Sequence, residues 1–164
     1  MPEKFDKKQL HAAILDALST LVENAKRAML VAYETATHEE NIAENKYHTL
    51  GLEAAYLAQG QARRLAECEA DLLAFQNSVP RDFTADDAIA LGALVQLQDE
   101  DHHRQFLFLG PAAGGLKVVL DGTDIMVITA AAPLGQALLN AGVGDQVSVR
   151  LAARPKHYEV LALF

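Results

Sequence analysis

The chain has 164 residues, of which 51% are hydrophobic and 22% charged, with a net charge of −8; it can make one ordinary domain or two small ones. That composition excludes a disordered chain, and the acidic balance argues against broad nucleic-acid binding and against sequence-specific DNA reading, which need a basic face. There is no run of eighteen apolar residues and no apolar stretch in the charged start MPEKFDKKQL, so neither a membrane span nor a signal peptide is expected, and a cytoplasmic protein is.

The chain changes character near Pro80. Before it, Leu10, Ile14, Leu18, Leu21, Ala25, Met29, Ala32 and Ala36 recur at steps of three and four. This is the stripe of an amphipathic helix running from about Lys8 to His38. A second stripe, Tyr47, Leu50, Ala54, Leu57, Gln61, Leu65, Cys68, Leu72 and Phe75, averages close to the 3.5-residue repeat of a coiled-coil seam. Gln61 is a polar seam position, read as a register device, and neighbouring Gly60 weakens the helix. Joined by the short polar segment 37–45, the two helices should fold back as an antiparallel hairpin. At 1.5 Å per residue such an arm is roughly 45 Å long, a length that suggests reach. Cys68, the single cysteine, reads as a small core hydrophobe.

After a linker at 77–87, short β-rich runs at 93–97, 105–109, 116–120, 125–129, 146–151 and 158–163 alternate with turn signals. Pro111 with Gly114-Gly115, and Asp121-Gly122, mark turns. One helical piece opens at Pro133, and Gly142 or Gly144 is expected to stop it. The predicted fold class is α+β: a helical hairpin over residues 1–76, then a small, mostly antiparallel sheet with one helix over 88–164.

Chemistry is concentrated between the helices. The segment THEENIAENKYH holds Glu39, Glu40 and Glu44 beside His38 and His48. One reading is a helix N-terminus, where the macrodipole and unpaired N–H groups favour acids, since Glu39 and Glu40 precede the second helix. The other is a hard-cation site: Mg²⁺ is commonly held by one or two carboxylates together with substrate phosphates. A lone arm offers no closed cage, so such an ion would be shared with a partner's active site. His102-His103 read as a polar turn, and no phosphate loop, GxSxG or HExxH occurs. Lys26-Arg27 and Arg63-Arg64 read as a solvated face or a basic patch for protein contact.

Two stretches resemble the Gre transcript-cleavage factors of bacteria. Asn41-Ile42-Ala43-Glu44-Asn45-Lys46-Tyr47 is similar to the family's tip signature, an Asp, two residues, Glu-Asn and a nearby Tyr. Ala132-Pro133-Leu134-Gly135-Gln136-Ala137-Leu138-Leu139 followed by Val143-Gly144-Asp145 resembles its Ser-Pro-Leu-Gly-x-Ala-Leu-Leu…Val-Gly-Asp pattern, with Ala132 in place of serine. The resemblance implies an FKBP-like second domain that docks on RNA polymerase, with Pro133, Leu134 and Gly135 as docking residues. It implies a coiled coil entering the polymerase secondary channel, where tip acids meet only the 3′ end of the nascent RNA. It also implies a Mg²⁺ shared with the polymerase and no catalysis by the chain itself; a monomer is expected.

Two departures bear on the tip. Asn41 stands where the family has aspartate, and Tyr47 follows Glu44 one residue early. Glu44 carries over as the family's glutamate, with Glu40 or Glu39 as substitutes for the missing acid and Glu44 and Glu40 as the expected Mg²⁺ ligands. An elongation factor that stimulates cleavage is therefore expected. The competing reading is a secondary-channel regulator that binds polymerase without cleavage, and a more remote one is a peptide-binding or prolyl-isomerase module with a dimerising arm.

Overall fold

The computed structural model describes residues 4–42, 48–152 and 154–164, side chains at 39–42 and 48–51 excepted. The chain divides into two compact units, Leu15–Leu73 and a second formed by Met1–Ile14 together with Ala74–Phe164.

The first helix, α1, is Lys7–Ile42 and the second, α2, is His48–Gln76. Asp6 caps α1: its Oδ1 accepts the N–H groups of Lys8 at 3.0 Å and Gln9 at 3.2 Å, satisfying donors the first turn leaves open. Within the Leu15–Leu73 unit the apolar stripe is buried as Leu18, Val22, Ala25, Ala32 and Ala36 on α1, and as Ala58 and Cys68 on α2. Val22, Ala25 and Cys68 form one cluster, with Leu21, Leu65 and Leu72 against it. Cys68 is free and buried, as a core hydrophobe should be. Two seam positions differ from expectation. Val22 is buried where Leu21 was expected, and Leu57 is 57% exposed while Ala58 is buried. Steps of three and four are interchangeable in a heptad pattern, and alanine at the contact lets the helix backbones approach more closely than leucine does.

The other unit is a six-stranded sheet in the order β3-β4-β2-β1-β6-β5. Its strands are β1 Leu94–Asp99, β2 Arg104–Gly110, β3 Lys117–Leu120, β4 Thr123–Thr129, β5 Gln146–Leu151 and β6 Arg154–Leu163, with α3, Pro133–Leu138, between β4 and β5. All pairings are antiparallel except β2 with β4. One parallel pair among antiparallel ones is the mostly antiparallel sheet expected. β3 takes the sheet edge, and the hairpin at Asp121-Gly122 sends β4 back into the gap beside β2, so two reversals restore the direction of β2. Both turn residues have positive φ, 49° and 79°, the geometry of a type I′ hairpin.

β2 is apolar on both faces because both faces are covered. Leu107 and Leu109 join Val95, Leu97, Ile128, Val149, Val160 and Leu138 of α3 in one core. On the opposite side Phe5 packs edge-on to Phe106 and Phe164, with ring centroids 5.0 Å apart in each case. Phe75, at the end of α2, seats over Gly110, where an added Cβ would stand 2.7 Å from its ring. Only glycine admits that ring. The expected linker is also fixed in place: Phe83 belongs to the sheet core, and Asp87 Oδ2 accepts the Thr84 N–H at 2.7 Å.

One buried cation ties this unit together. Lys7 is 5% exposed, and its Nζ donates to the carbonyl oxygens of Arg81 at 2.8 Å, Gly92 at 2.6 Å and Phe164 at 2.9 Å. The rings of Phe83 and Phe108 lie 5.2 and 5.6 Å away. The first turn of α1, the 81–92 segment and the last residue of β6's extension thus share one ammonium group. Burial pulls the Lys7 pKa down from 10.5 to about 8, with Asp82 opposing and Arg81 adding to the fall.

Candidate functional site

The candidate tip residues fall where two helices meet in sequence. α1 continues to Ile42, so the expected loop 37–45 begins later than the sequence suggested. Glu39, Glu40 and Asn41 therefore belong to the last turn of α1 and not to the approach to α2. This corrects the helix-N-terminus reading for the two glutamates. A helix C-terminus carries partial negative charge and favours Lys, Arg or His, yet the last turn of α1 holds no basic residue. Acids at this position oppose the dipole, so helix stability does not account for them. Glu44 lies outside the described residues, as do the side chains of Glu39, Glu40 and Asn41.

In sequence Glu40 and Glu44 stand four residues apart, with Asn41 between them; carboxylates are the residue type that holds a hard cation. Asn41 contributes only a neutral amide oxygen, which weakens the set relative to one containing aspartate.

The second motif region is fully described. Pro133 opens α3 at its first turn, the position where a missing N–H costs least. Pro133 is exposed, Leu134 half-buried and Gly135 buried. Leu134 packs partly against the sheet core. At Gly135 a Cβ would overlap the Thr129 carbonyl oxygen and crowd Ala130, so glycine there lets α3 lie directly on the end of β4. α3 ends earlier than expected: Asn140, with φ 68°, takes the left-handed position after it, and Asn140 N–H bonds to Ile89 O at 2.9 Å. Gly142 and Gly144 serve the next turn. Asp145 Oδ2 accepts the Gly142 N–H at 2.8 Å, and Gly144 adopts φ 91° on the way into β5. Most of this motif is architecture; Pro133, Gln136 and the half-buried Leu134 are among what it presents to solvent.

The His102-His103 turn joins β1 to β2. Asp99 Oδ1 accepts the N–H groups of Asp101 and His103, each at 2.9 Å. The Asp99 carboxyl is held below the ordinary carboxylate range chiefly by the His103 N–H, with the Asp101 N–H and the charges of His103 and Lys156 assisting and desolvation opposing. Asp99, Asp101 and His103 have ligand atoms within 4.8 Å of one another, but Asp99 Oδ1 already builds the turn and Oδ2 lies 3.9 Å from Lys156 Nζ. Among the described residues no helix is long and apolar enough to cross a membrane.

The two long helices followed by a sheet domain define an α+β protein with a helical N-terminal arm. Comparison with known proteins says what it is similar to. Residues 84–163 match the model described as transcription elongation factor, GreA/GreB, C-term. A protein named transcription elongation factor GreA from Thermodesulfovibrio yellowstonii is 24% identical over 164 residues, covering 99% of this chain and 93% of its own. One of the same name from Desulfovibrio desulfuricans is 27% identical over 159 residues, with 94% and 90% covered. The second half of the chain thus matches the GreA/GreB model, and the two GreA proteins extend the similarity over nearly the whole chain. Solved structures similar to it include GreA factor homolog 1 (Gfh1) of Thermus thermophilus, at 21% identity and TM-score 0.38 with 92% and 94% of the two chains covered. Gfh1 of Thermus aquaticus has 25% identity and TM-score 0.38, with 90% and 92% covered. At these scores the superpositions are loose, and the assignment rests on the sequence matches.

Proposed function

We propose that this chain is a transcription elongation factor that binds bacterial RNA polymerase, passes its hairpin arm into the secondary channel and stimulates cleavage of backtracked transcripts. The observation that carries the reading is the acidic last turn of α1 in a chain whose second half matches the GreA/GreB model, where the helix dipole gives those acids no structural benefit. Glu44 is the principal tip acid, with Glu40 or Glu39 beside it. Their part is to hold carboxylate oxygens against a Mg²⁺ shared with the polymerase. That ion, when bound, supplies a water activated for attack on the phosphodiester. The chain has no catalytic residue of its own in this reading. Pro133 and the half-buried Leu134 serve docking, while Gly135 shapes the surface that carries them.

Backtracked complexes given the protein and Mg²⁺ should release short 3′ RNA fragments, and Glu44→Ala should abolish release while polymerase binding persists. Absence of fragments with bound wild-type protein would sink the cleavage claim. Asn41 favours a second reading, a secondary-channel regulator without cleavage. Asn41→Asp discriminates: cleavage gained only in that variant marks a silenced tip.

A further inference from the structure

The sheet unit ends in a basic ribbon. β1 pairs with β6 only as far as Asp99 opposite Tyr158, so residues 154–157 continue past β1 paired with β5. Ala152, with φ 48°, lies in the turn at the tip. From Gln146 to His157 the sequence holds Arg150, Arg154, Lys156 and His157 and no Asp or Glu. The whole chain has 22 acids against 14 lysines and arginines, so the ribbon carries the opposite sign to the rest.

Two of the cations are engaged at the base of the ribbon. Lys156 Nζ lies 3.9 Å from Asp99 Oδ2, and the His157 N–H donates to Glu100 Oε1 at 3.2 Å. Arg150 and Arg154, nearer the tip, make no ion pair among the described residues. Residues directly opposite each other in a strand pair share one face of the sheet. Leu151 opposes Arg154, and Pro155 opposes Arg150, so each face presents an arginine beside an exposed apolar side chain. Charge and proline on an edge ribbon also prevent edge-to-edge pairing of sheets, but acids would serve that end as well as arginines.

The make-up of the ribbon selects the class of partner. A phosphodiester backbone would meet the repelling field of a chain with net charge −8, and it has no use for Leu151, 50% exposed at the tip. Residues 146–157 include no Phe, Tyr or Trp on which bases could stack. Arginine with apolar neighbours is instead the make-up of a protein–protein contact, and its complement is an acidic surface. We propose that the β5–β6 ribbon is a docking element for an acidic protein surface, with Arg150 and Arg154 as its anchors. The partner rests on the polymerase reading: the acidic surface belongs to RNA polymerase, and the ribbon adds a second contact to that of Pro133 and Leu134.

Binding of the full chain to purified bacterial RNA polymerase, measured by fluorescence anisotropy at low and high salt, tests this. Arg150→Ala with Arg154→Ala should weaken binding about tenfold at low salt, and Arg150→Glu with Arg154→Glu about a hundredfold. Both differences should shrink at high salt. These variants should melt with the wild type, because the exchanged side chains are exposed. Lys117→Glu, on β3 at the opposite edge of the sheet, should bind as the wild type does. A wild type that does not bind defeats the polymerase reading itself, and this proposal with it. Wild-type binding matched by the glutamate pair, or equal loss per charge from Lys117→Glu, overturns the proposal alone. So does arginine-dependent binding to a DNA duplex or a single-stranded RNA with polymerase affinity unchanged.

Discussion

Replacing Lys7 by methionine removes the one cation buried among the described residues of the sheet unit while keeping nearly the same length of side chain. Three carbonyl oxygens lose a donor, and of these Phe164 O alone has another partner, the Leu94 N–H at 3.1 Å. Two acceptors left unsatisfied cost roughly 1–3 kcal/mol each. Against this, the variant no longer desolvates an ammonium group. The fall of the Lys7 pKa from 10.5 to about 8 sets that cost at about 3 kcal/mol. The difference leaves Lys7→Met less stable at pH 7 by about 1 kcal/mol, or on the order of 5 °C in Tm for a unit of this size.

The sign of the pH dependence is independent of that balance. Below about pH 8 Lys7 is protonated in both folded and unfolded chains, and the burial cost is fully present. Between about 8 and 10.5 the unfolded chain binds more protons than the folded one, so stability from this group rises with pH. Thermal melts of wild type and Lys7→Met at pH 7, 9 and 10.5 should therefore diverge, the wild type gaining relative to the variant as pH rises. A variant as stable as wild type at pH 7, with a parallel pH profile, would refute the assignment of Lys7 as a structural staple.

Glycine-to-alanine changes should have opposite signs at two helical positions. Gly60→Ala meets nothing within 4 Å and should stabilise by about 1 kcal/mol in a denaturant titration, from helix propensity alone. Gly135→Ala must displace the Thr129 carbonyl and should cost more than about 3 kcal/mol or prevent the sheet unit from folding; a mild effect in the same titration would contradict the close contact between α3 and β4. Gly122→Ala, at φ 79°, should cost about 1 kcal/mol by the same measurement.

The elements were legible in the sequence because each carries its own period. Both helices and all six strands follow from spacing, and Cys68 sits in the arm core where its seam position placed it. The sheet's parallel pair was not legible, because local period says nothing about which strand fills the gap beside β2. Leu57 and Ala58 show a second limit: a heptad pattern tolerates either step, and close approach of the backbones selected the alanine. Lys7 was legible in principle. It stands three residues before Leu10 and seven before Ile14, squarely on the buried stripe, but a lysine there reads as surface until three carbonyls are found around it.

The two halves of the family pattern therefore differ in what they can prove. In the second half Gly135, Gly144 and Asp145 are held by close approach, positive φ and a turn hydrogen bond. A sequence must keep them to keep the domain, whatever its partner. The acids at the end of α1 have the reverse character, since the dipole penalises them and the last turn offers no basic neighbour. Fold alone gives no reason to keep them acidic. Under the proposed function, substitutions at Glu40 and Glu44 should change cleavage without changing the melting of either unit, and a shifted melting temperature would contradict it.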